Sequence, residues 1–341
     1  MQDSERLARR DARRRESARR RRRTRLTLCL TAATIVVLAV VVLASGGSDS
    51  SKGGSSASSG PGNRRSSPAR AESSSGGTRA HGELSLGEPR STAAALGPAT
   101  GTPGTETAPI LMYHVINPPP PGAPFPGLYV AAEEFEAQMK ALASAGYHAV
   151  TLDQLRAYWQ HGARLPAGKP IVVSFDNGYQ SQYSNALPVL RRLGWVGDEN
   201  LQLTGLPPSQ GGLSQAQIQG LVSAGWELDT QGFSHADLIT LDQSQLEYQV
   251  AGARKVIQAR YHVPVNWFCY PSGHYDPAVI AAVKAAGYTG STTVVPGWAS
   301  PSSDPYRLPR LRVLGGTSPE ALLSELSLIR DDPAPPESYS A

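Results

Sequence analysis

The sequence predicts an α/β protein whose ordered part is a (β/α) barrel, either closed or incomplete. Short apolar runs rich in β-branched residues alternate with segments of helical periodicity, giving about seven β–α units. Several helical segments end at a glycine, as at Gly146, Gly225 and Gly287. Strands that alternate with helices favour a parallel sheet, and about seven units favour a barrel with its site at the carboxyl ends of the strands.

Each element follows from local sequence. The runs at 110–113 and 171–175 are apolar and short, as buried strands are, whereas Phe135, Met139 and Leu142 recur at helical spacing. The predicted strands are 110–113, 148–152, 171–175, 200–203, 226–230, 266–270 and 290–293. The predicted helices are 132–145, 152–161, 183–193, 214–223, 244–260 and 277–286.

The chain before the barrel has a different composition. Residues 1–25 hold twelve arginines against four acidic residues, a net charge of +8, whereas the whole chain carries +4. The basic charge therefore belongs to a tail, which we expect in the cytoplasm, and a nucleic-acid-binding domain is not expected, because such a domain spreads basic residues over a folded face.

An apolar run follows the basic tail. Residues 26–45 contain no charge and no proline, and about 20 apolar residues span a bilayer core. Arginines on the N-terminal side favour a cytoplasmic N-terminus, so we expect a single-pass cell-membrane anchor with the barrel outside the cytoplasm. A signal peptide cleaved after Val42-Leu43-Ala44 is the alternative.

Domain boundaries follow from the same reading. Residues 46–107 are rich in Gly, Ser, Pro, Ala and Thr, which predicts a disordered linker. The predicted domain spans 108–330, and a C-terminal tail spans 331–341. Cys29 lies in the apolar run and Cys269 in the barrel, so no disulfide is expected to support the fold.

Polar side chains gather where the predicted strands end. In a parallel barrel these ends meet at one rim, so the side chains are expected to lie close together. They are His114 after the first strand, Asp176 and Asn177 after the third, Asp229, Gln231 and His235 after the fifth, and residues 270–274 after the sixth.

Five motifs carry a family resemblance. Ser174–Tyr179 (SFDNGY) and Glu227–Leu238 (ELDTQGFSHADL) resemble the two defining motifs of NodB-type polysaccharide deacetylases. Phe268–Tyr275 resembles a third motif, and Leu111–His114 and Leu308–Val313 resemble flanking motifs of the poly-N-acetylglucosamine deacetylase branch. Five motifs in order are specific where one alone would be weak.

The resemblance implies a divalent metal, usually zinc, held by a carboxylate and two imidazoles. Asn177 matches the metal-binding aspartate, and Gln231 and His235 match the two histidines. Two of the three positions are therefore carboxamides, which are weak zinc ligands, and a tight zinc site is in doubt. Asp229 stands at the family's glycine position and shares a strand face with Gln231, so we hypothesise that it partly replaces the lost charge.

The resemblance also assigns proton transfer and substrate contact. Asp176 matches the catalytic base, His114 an acid-like residue, and Arg310 a residue that keeps the base ionised. Tyr270 and Pro271 are expected to shape the groove wall. His114 could equally pack beside the proline-rich segment 118–126.

Trp298 is more typical of a core or rim residue than of a sugar platform, although its Gly-Trp-Ala-Ser segment could place it on a sugar ring.

Two functions follow from these residues. The first is an enzyme, a hydrolase of amide bonds that removes N-acetyl groups from an N-acetylglucosamine-containing envelope glycan such as peptidoglycan or poly-N-acetylglucosamine. The second is a pseudoenzyme that binds cell-wall glycan in the barrel groove without turnover. The sequence names neither the glycan nor the oligomeric state.

Overall fold

The computed structural model describes residues 99–204, 206, 211–329 and 335–340. The predicted basic tail, the apolar run at 26–45 and most of the predicted linker lie outside this part of the chain. Among the described residues, no helix is both long enough and apolar enough to cross a bilayer.

Nine strands are formed by the described residues. They are β1 Ala108–Tyr113, β2 Tyr147–Ala149, β3 Lys169–Asn177, β4 Asp198–Leu201, β5 Glu227–Thr230, β6 Trp267–Cys269, β7 Gly290–Thr292, β8 Trp298–Ala299 and β9 Leu311–Arg312.

The α-helices are α1 Ala132–Ser144, α2 Leu152–His161, α3 Leu187–Arg192, α4 Gln215–Ser223, α5 Gln243–Glu247, α6 Ala253–Tyr261, α7 Pro277–Ala285 and α8 Pro319–Leu328. A π-helical turn, Gln182–Ala186, precedes α3, and another, Tyr248–Gly252, joins α5 to α6.

The strands form an incomplete parallel barrel. Their order is β7-β6-β5-β4-β3-β1, with β2 on the N-terminal end of β3, β9 parallel to β1, and β8 antiparallel to β1. The segment 308–312 lies between the two edges, since Leu308 bridges to Thr292 of β7 and Leu311 pairs with Leu111 of β1. This short segment carries Arg310 into the interior.

The two faces of the sheet differ in chemistry. The outer face is apolar and makes aromatic contacts, with Tyr113 on Phe135 of α1 (centroids 5.0 Å apart) and Phe175 on Trp226, the residue before β5 (4.9 Å). Because side chains alternate along a strand, the residues between these apolar ones face the interior. Inward positions of β3 and β4 include Ser174, Asp176, Asp198 and Asn200, all of them buried.

The parallel α/β barrel expected from the sequence is confirmed in its incomplete form, and the differences within it are local. Strand β4 begins two residues earlier than predicted, because Asp198, Glu199 and Asn200 do not read as a strand and form one only by pairing with β3 and β5. The sequence reading did not anticipate β8, β9 or α8.

Packed residues also extend beyond the predicted domain boundaries. Thr100 and Gly104 donate backbone hydrogen bonds to the carbonyls of Gly162 and Tyr158, and Tyr339 pairs with Tyr275.

Candidate active site

Two turns with left-handed backbone shape the site. Strand β3 ends at Asn177, whose φ is 79°, followed by Gly178 at 88°. The segment after β5 contains Gly232 at 85° and His235 at 52°. Asparagine tolerates this region better than most residues, and glycine adopts it without penalty. These turns bring Asn177 and the 231–235 segment to the same end of the barrel.

Asp176 and Arg310 form a buried ion pair at this end. Arg310 is completely buried and donates from Nη1 to Asp176 Oδ1 at 2.7 Å and from Nη2 to Oδ2 at 2.8 Å. Its Nε donates to the Thr293 carbonyl at 2.8 Å, and Nη1 also reaches Ser174 Oγ at 3.1 Å. The guanidinium is therefore fixed by β3 and by the residue that follows β7, and the parallel pairing is of the strong, bidentate kind.

The surroundings keep Asp176 ionised. Burial by itself would raise the pKa of Asp176, but the charge and hydrogen bonds of Arg310 outweigh it and lower the pKa to about 2. Asn200 Nδ2 adds a hydrogen bond to Oδ1 at 2.9 Å, and the Cys269 thiol lies 3.5 Å from Oδ2. Because burial raises the pKa of Cys269, this thiol stays protonated. Oδ2 is the oxygen with the weaker set of donors.

His114 lies beside this pair in an uncharged state. Burial lowers the pKa of His114 to about 4, against an opposing effect of the Asp176 carboxylate. Its Nδ1 is buried without a hydrogen-bond partner among the described residues. The backbone carbonyl of His114 accepts from Gln182 Nε2, which also donates to the carbonyl of Asp176. Gln182 thus ties the ends of β1 and β3 together.

The three positions that match metal ligands are linked by hydrogen bonds to one another. Gln231 Oε1 accepts the backbone N–H of Asn177 at 3.0 Å, and its Nε2 lies 3.4 Å from His235 Nε2. Asn177 Nδ2 donates to Gln202 Oε1 at 3.0 Å. Since the oxygen of Gln231 is held by a backbone donor, its NH₂ group faces the imidazole nitrogen.

This donor set does not fit a zinc ion of the family's kind. The amide of Gln231 directs its NH₂ group at the nitrogen of His235 that a metal would need, and an NH₂ group has no lone pair to offer. The oxygen of Asn177 is a neutral donor, so the site supplies no anionic ligand from these three residues. We therefore derive no catalytic step through a bound metal.

Asp229 lies elsewhere in the interior. Its Oδ1 accepts the backbone N–H of Trp267 at 2.9 Å, and its carboxylate groups with Asp198 and Glu227. That group does not include His235. The structure thus gives no support to the hypothesis that Asp229 replaces the lost metal ligand, because sharing a strand face with Gln231 is insufficient when the side chain turns toward β6.

The three residues expected to contact substrate do not lie together in a groove. Tyr270 is completely buried, stacks on Tyr275 at 4.8 Å and donates to the Tyr306 carbonyl, so its ring belongs to the core and not to the groove. Pro271 is also buried and lies at the carboxyl end of β6. Trp298 pairs with Pro109 at the N-terminal end of β1, opposite the site, and donates to the Leu326 carbonyl. The position of Trp298 therefore gives no support to a sugar-platform role.

Three residues of the site were not singled out from the sequence. Asn200 and Gln202 contact Asp176 and Asn177 from β4 and the residue after it, and Cys269 contacts both Asp176 and Arg310. The signal available for the first two was an unusually polar strand. Reading Asp198-Glu199-Asn200 as part of β4 would have placed Asn200 beside Asp176, since these two residues are register partners.

The fold and the site together define a class of protein. The family model described as polysaccharide deacetylase matches residues 164–291, which run from before β3 into β7. With five motifs in order and this fold, the match identifies a domain of the polysaccharide deacetylase type in this chain. The homologues of this domain support a carbohydrate deacetylase, a hydrolase of amide bonds.

Individual relatives agree with this assignment. The chain is 29% identical over 213 residues to YxkH of Bacillus subtilis (strain 168), provisionally named a polysaccharide deacetylase, covering 62% of this chain and 74% of that protein. The structure of BC0361, a polysaccharide deacetylase from Bacillus cereus, is 27% identical with a TM-score of 0.58 over 65% of this chain and 69% of that chain. The Streptococcus pyogenes deacetylase PplD, solved with acetate, is 25% identical with a TM-score of 0.59 over 66% and 99%.

Proposed function

We propose that this protein is a membrane-anchored, extracytoplasmic deacetylase of an N-acetylglucosamine-containing envelope glycan, with Asp176 as its base. The observation that carries the proposal is the buried pair of Asp176 and Arg310, which keeps an ionised carboxylate at the strand ends. A structural ion pair could be replaced by apolar residues at little cost in stability, so its presence at the rim favours a chemical role.

The contacts around Asp176 and His114 support a proposed assignment of the proton transfers. Asp176 Oδ2, with the weaker donors, is the oxygen available to accept a proton from the attacking water. His114 is uncharged at neutral pH, so it can protonate the leaving amine from one ring nitrogen only if the other ring nitrogen takes up the proton that Asp176 received from the attacking water. Its unpartnered Nδ1 leaves that capacity free. His114 therefore acts as a proton relay beside Asp176.

The same geometry predicts slow turnover. A base with a pKa of about 2 is poorly matched to a water molecule whose acidity no metal has raised, and base catalysis is best when the pKa lies near the working pH. We therefore expect hydrolysis by the natural chain to be far below that of a variant with the family's ligands.

A second candidate function has its own observation. Gln231 accepts a hydrogen bond from the backbone of Asn177 and contacts the ring of His235, so the three residues at the metal-ligand positions are hydrogen-bonded to one another. Such a group needs no cation, and it favours a pseudoenzyme that binds glycan in the groove without hydrolysis. Zinc would then have no effect on the protein.

Acetate release from N-acetylated chitooligosaccharides separates the two candidates. The full chain is compared with Asp176→Asn and with the double variant Asn177→Asp, Gln231→His, each without added metal and with zinc, cobalt or manganese. Exposed Glu320→Gln is the matched control for the acid-to-amide change. Slow release by the natural chain, lost about 10²–10⁴-fold in Asp176→Asn, supports the deacetylase.

Release that is absent in the natural chain but appears with zinc in the double variant would overturn the deacetylase in favour of the pseudoenzyme. Sugar binding, measured separately by isothermal titration, is expected in both cases. Anchoring is tested by a reporter joined after Ser45, which should be detected outside the cytoplasm and retained in the membrane fraction.

A further inference from the structure

The parallel ladder between β1 and β3 stops one residue short of the proposed reaction site. Its last register pair is Tyr113 with Phe175. The next residues on the two strands are His114 and Asp176, the proposed proton relay and the base. Because side chains alternate along a strand, and the aromatic pair faces outward, His114 and Asp176 both leave the ladder on its inner face.

A side-chain amide continues the pairing at this point. Gln182 Nε2 donates to the backbone carbonyls of His114 and Asp176, at 2.9 Å in each case. Both partners are carbonyl oxygens, which only accept, so the NH₂ end of the amide must face them. One planar group, completely buried, thus sets the distance between the two backbones that carry the relay and the base.

The other end of the same amide has no partner. Gln182 Oε1 is buried and makes no hydrogen bond to any described residue. A buried acceptor without a donor costs free energy, and an apolar side chain of similar volume would avoid that cost. The amide is therefore explained by what its NH₂ group does at the two carbonyls and not by packing.

The turn that begins at Gln182 is also tied to the segment after β1. This turn, Gln182–Ala186, is π-helical, and π-helical turns are frequent at functional sites. Ser181 Oγ accepts the backbone N–H of Ile116 at 3.0 Å, and Asn185 Nδ2 donates to the Ile116 carbonyl at 2.7 Å. These two bonds hold the chain at a point two residues beyond the relay.

We propose that Gln182 is the positioning residue that fixes the His114 relay against the base Asp176. The inference rests on the function proposed above, in which these two side chains transfer the proton. Because one amide holds both backbones, its loss lets the strand ends separate and lengthens the path of the proton. Gln182 is completely buried and does not contact substrate, so the effect belongs to kcat and not to KM.

Removal of the two donors is the first test. Gln182→Met keeps most of the volume, and its control is Asn185→Ala, which removes hydrogen bonds of the same kind to Ile116 and Asn117. Acetate release from N-acetylated chitooligosaccharides is measured with the full chain. We expect kcat to fall about ten- to a hundredfold in Gln182→Met with KM nearly unchanged, the size expected when a reacting group is displaced by about 1 Å. Asn185→Ala should lose thermal stability and keep its kcat.

The ring of His114 gives a second readout that needs no hydrolysis. Its nuclear magnetic resonance signals are observed with isotope-labelled histidine and assigned by their loss in His114→Asn. We expect Gln182→Met to move these signals and to raise the pKa of His114 from about 4 toward its ordinary 6.5, because a loosened segment admits water to the ring. Asn185→Ala should leave them in place. This result without acetate release from any variant would reject the proposed function and support the positioning role.

A purely structural Gln182 gives a different pattern. Gln182→Met and Asn185→Ala would then both lower the thermal midpoint, while kcat and the His114 ring signals stay as in the natural chain. That pattern overturns the proposal even where acetate is released. Should Gln182→Met fail to fold, Gln182→Glu, which keeps the shape and supplies at most one donor, is measured in the same way and decides between the two results.

Discussion

Replacement of Arg310 by methionine is the sharpest perturbation of the site. The variant keeps much of the volume of the arginine stem but removes both hydrogen bonds to Asp176. The pKa of Asp176 falls from its ordinary 3.8 to about 2 in the folded protein. At about 1.4 kcal/mol for each pKa unit, the ionised carboxylate contributes about 2.5 kcal/mol to the free energy of unfolding.

The sign of this contribution fixes its pH range. A lowered carboxyl pKa stabilises the fold fully above pH 3.8, and that stability is lost as pH falls toward 2. Arg310→Met removes the contribution and leaves a buried charge without its partner, so the expected loss at pH 7 is about 3–5 kcal/mol. In the variant, the pKa of Asp176 should rise, and the penalty should shrink as the pH is lowered.

A double-mutant cycle of Arg310→Met and Asp176→Asn, followed by urea denaturation at pH 7, measures the coupling free energy between the two side chains. Because neither Arg310→Met nor Asp176→Asn leaves the ion pair intact, the double variant should be less destabilised than the sum of the two, by at least about 2 kcal/mol. Arg310→Lys keeps the charge without the bidentate geometry and should fall between the natural chain and Arg310→Met. Effects that add within about 0.5 kcal/mol would refute the reasoning, since they would mean that the two side chains stabilise the fold independently.

Four further outcomes follow. Glu199 is buried with both carboxylate oxygens unpartnered, and burial raises its pKa, so Glu199→Gln should raise the free energy of unfolding by about 1–3 kcal/mol at pH 8, with the gain fading below pH 4.5 in denaturation curves. Because burial lowers the pKa of His114 to about 4, stability should fall between pH 6.5 and 4, and His114→Asn should flatten that slope; an unchanged slope would place the titration elsewhere. Trp298→Ala should cost about 2–4 kcal/mol of stability while leaving glycan affinity unchanged in titration calorimetry, because the ring lies at the opposite end of the barrel. The double variant Asn177→Asp, Gln231→His should retain zinc through dialysis, which elemental analysis will detect and which the natural chain should not show.

The order of elements could be read from the sequence because it depends on local patterns. The run 171–175 is apolar and rich in β-branched residues, which predicts a strand. The helix that begins at Leu152 is preceded by Thr151, which forms a reciprocal capping box with Gln154. The start of strand β4 could not be predicted from a local pattern. Its residues are acidic and amide side chains, and only pairing on both sides makes them a strand.

Part of the site could also be predicted from local sequence patterns. Asp176, Asn177 and His235 stand in motifs that are contiguous in sequence, so their shared location needed no tertiary information. The location of Trp298 did require the tertiary structure, because no neighbouring residue in the sequence indicates that Trp298 pairs with the N-terminal end of β1. Tyr270 also followed its motif but turned its ring into the core.

The sequence by itself determined the fold family, the ends of the strands where the chemistry lies, and the two carboxamide substitutions, because each is written in short contiguous segments. Only the tertiary structure decided how those groups are used. Arg310 meets Asp176 across 134 residues, and Gln231 meets the backbone of Asn177 across 54. The convergence of Asp198 with Asp229 depends on strand register. Such contacts arise from the closing of the barrel, and no local pattern encodes them.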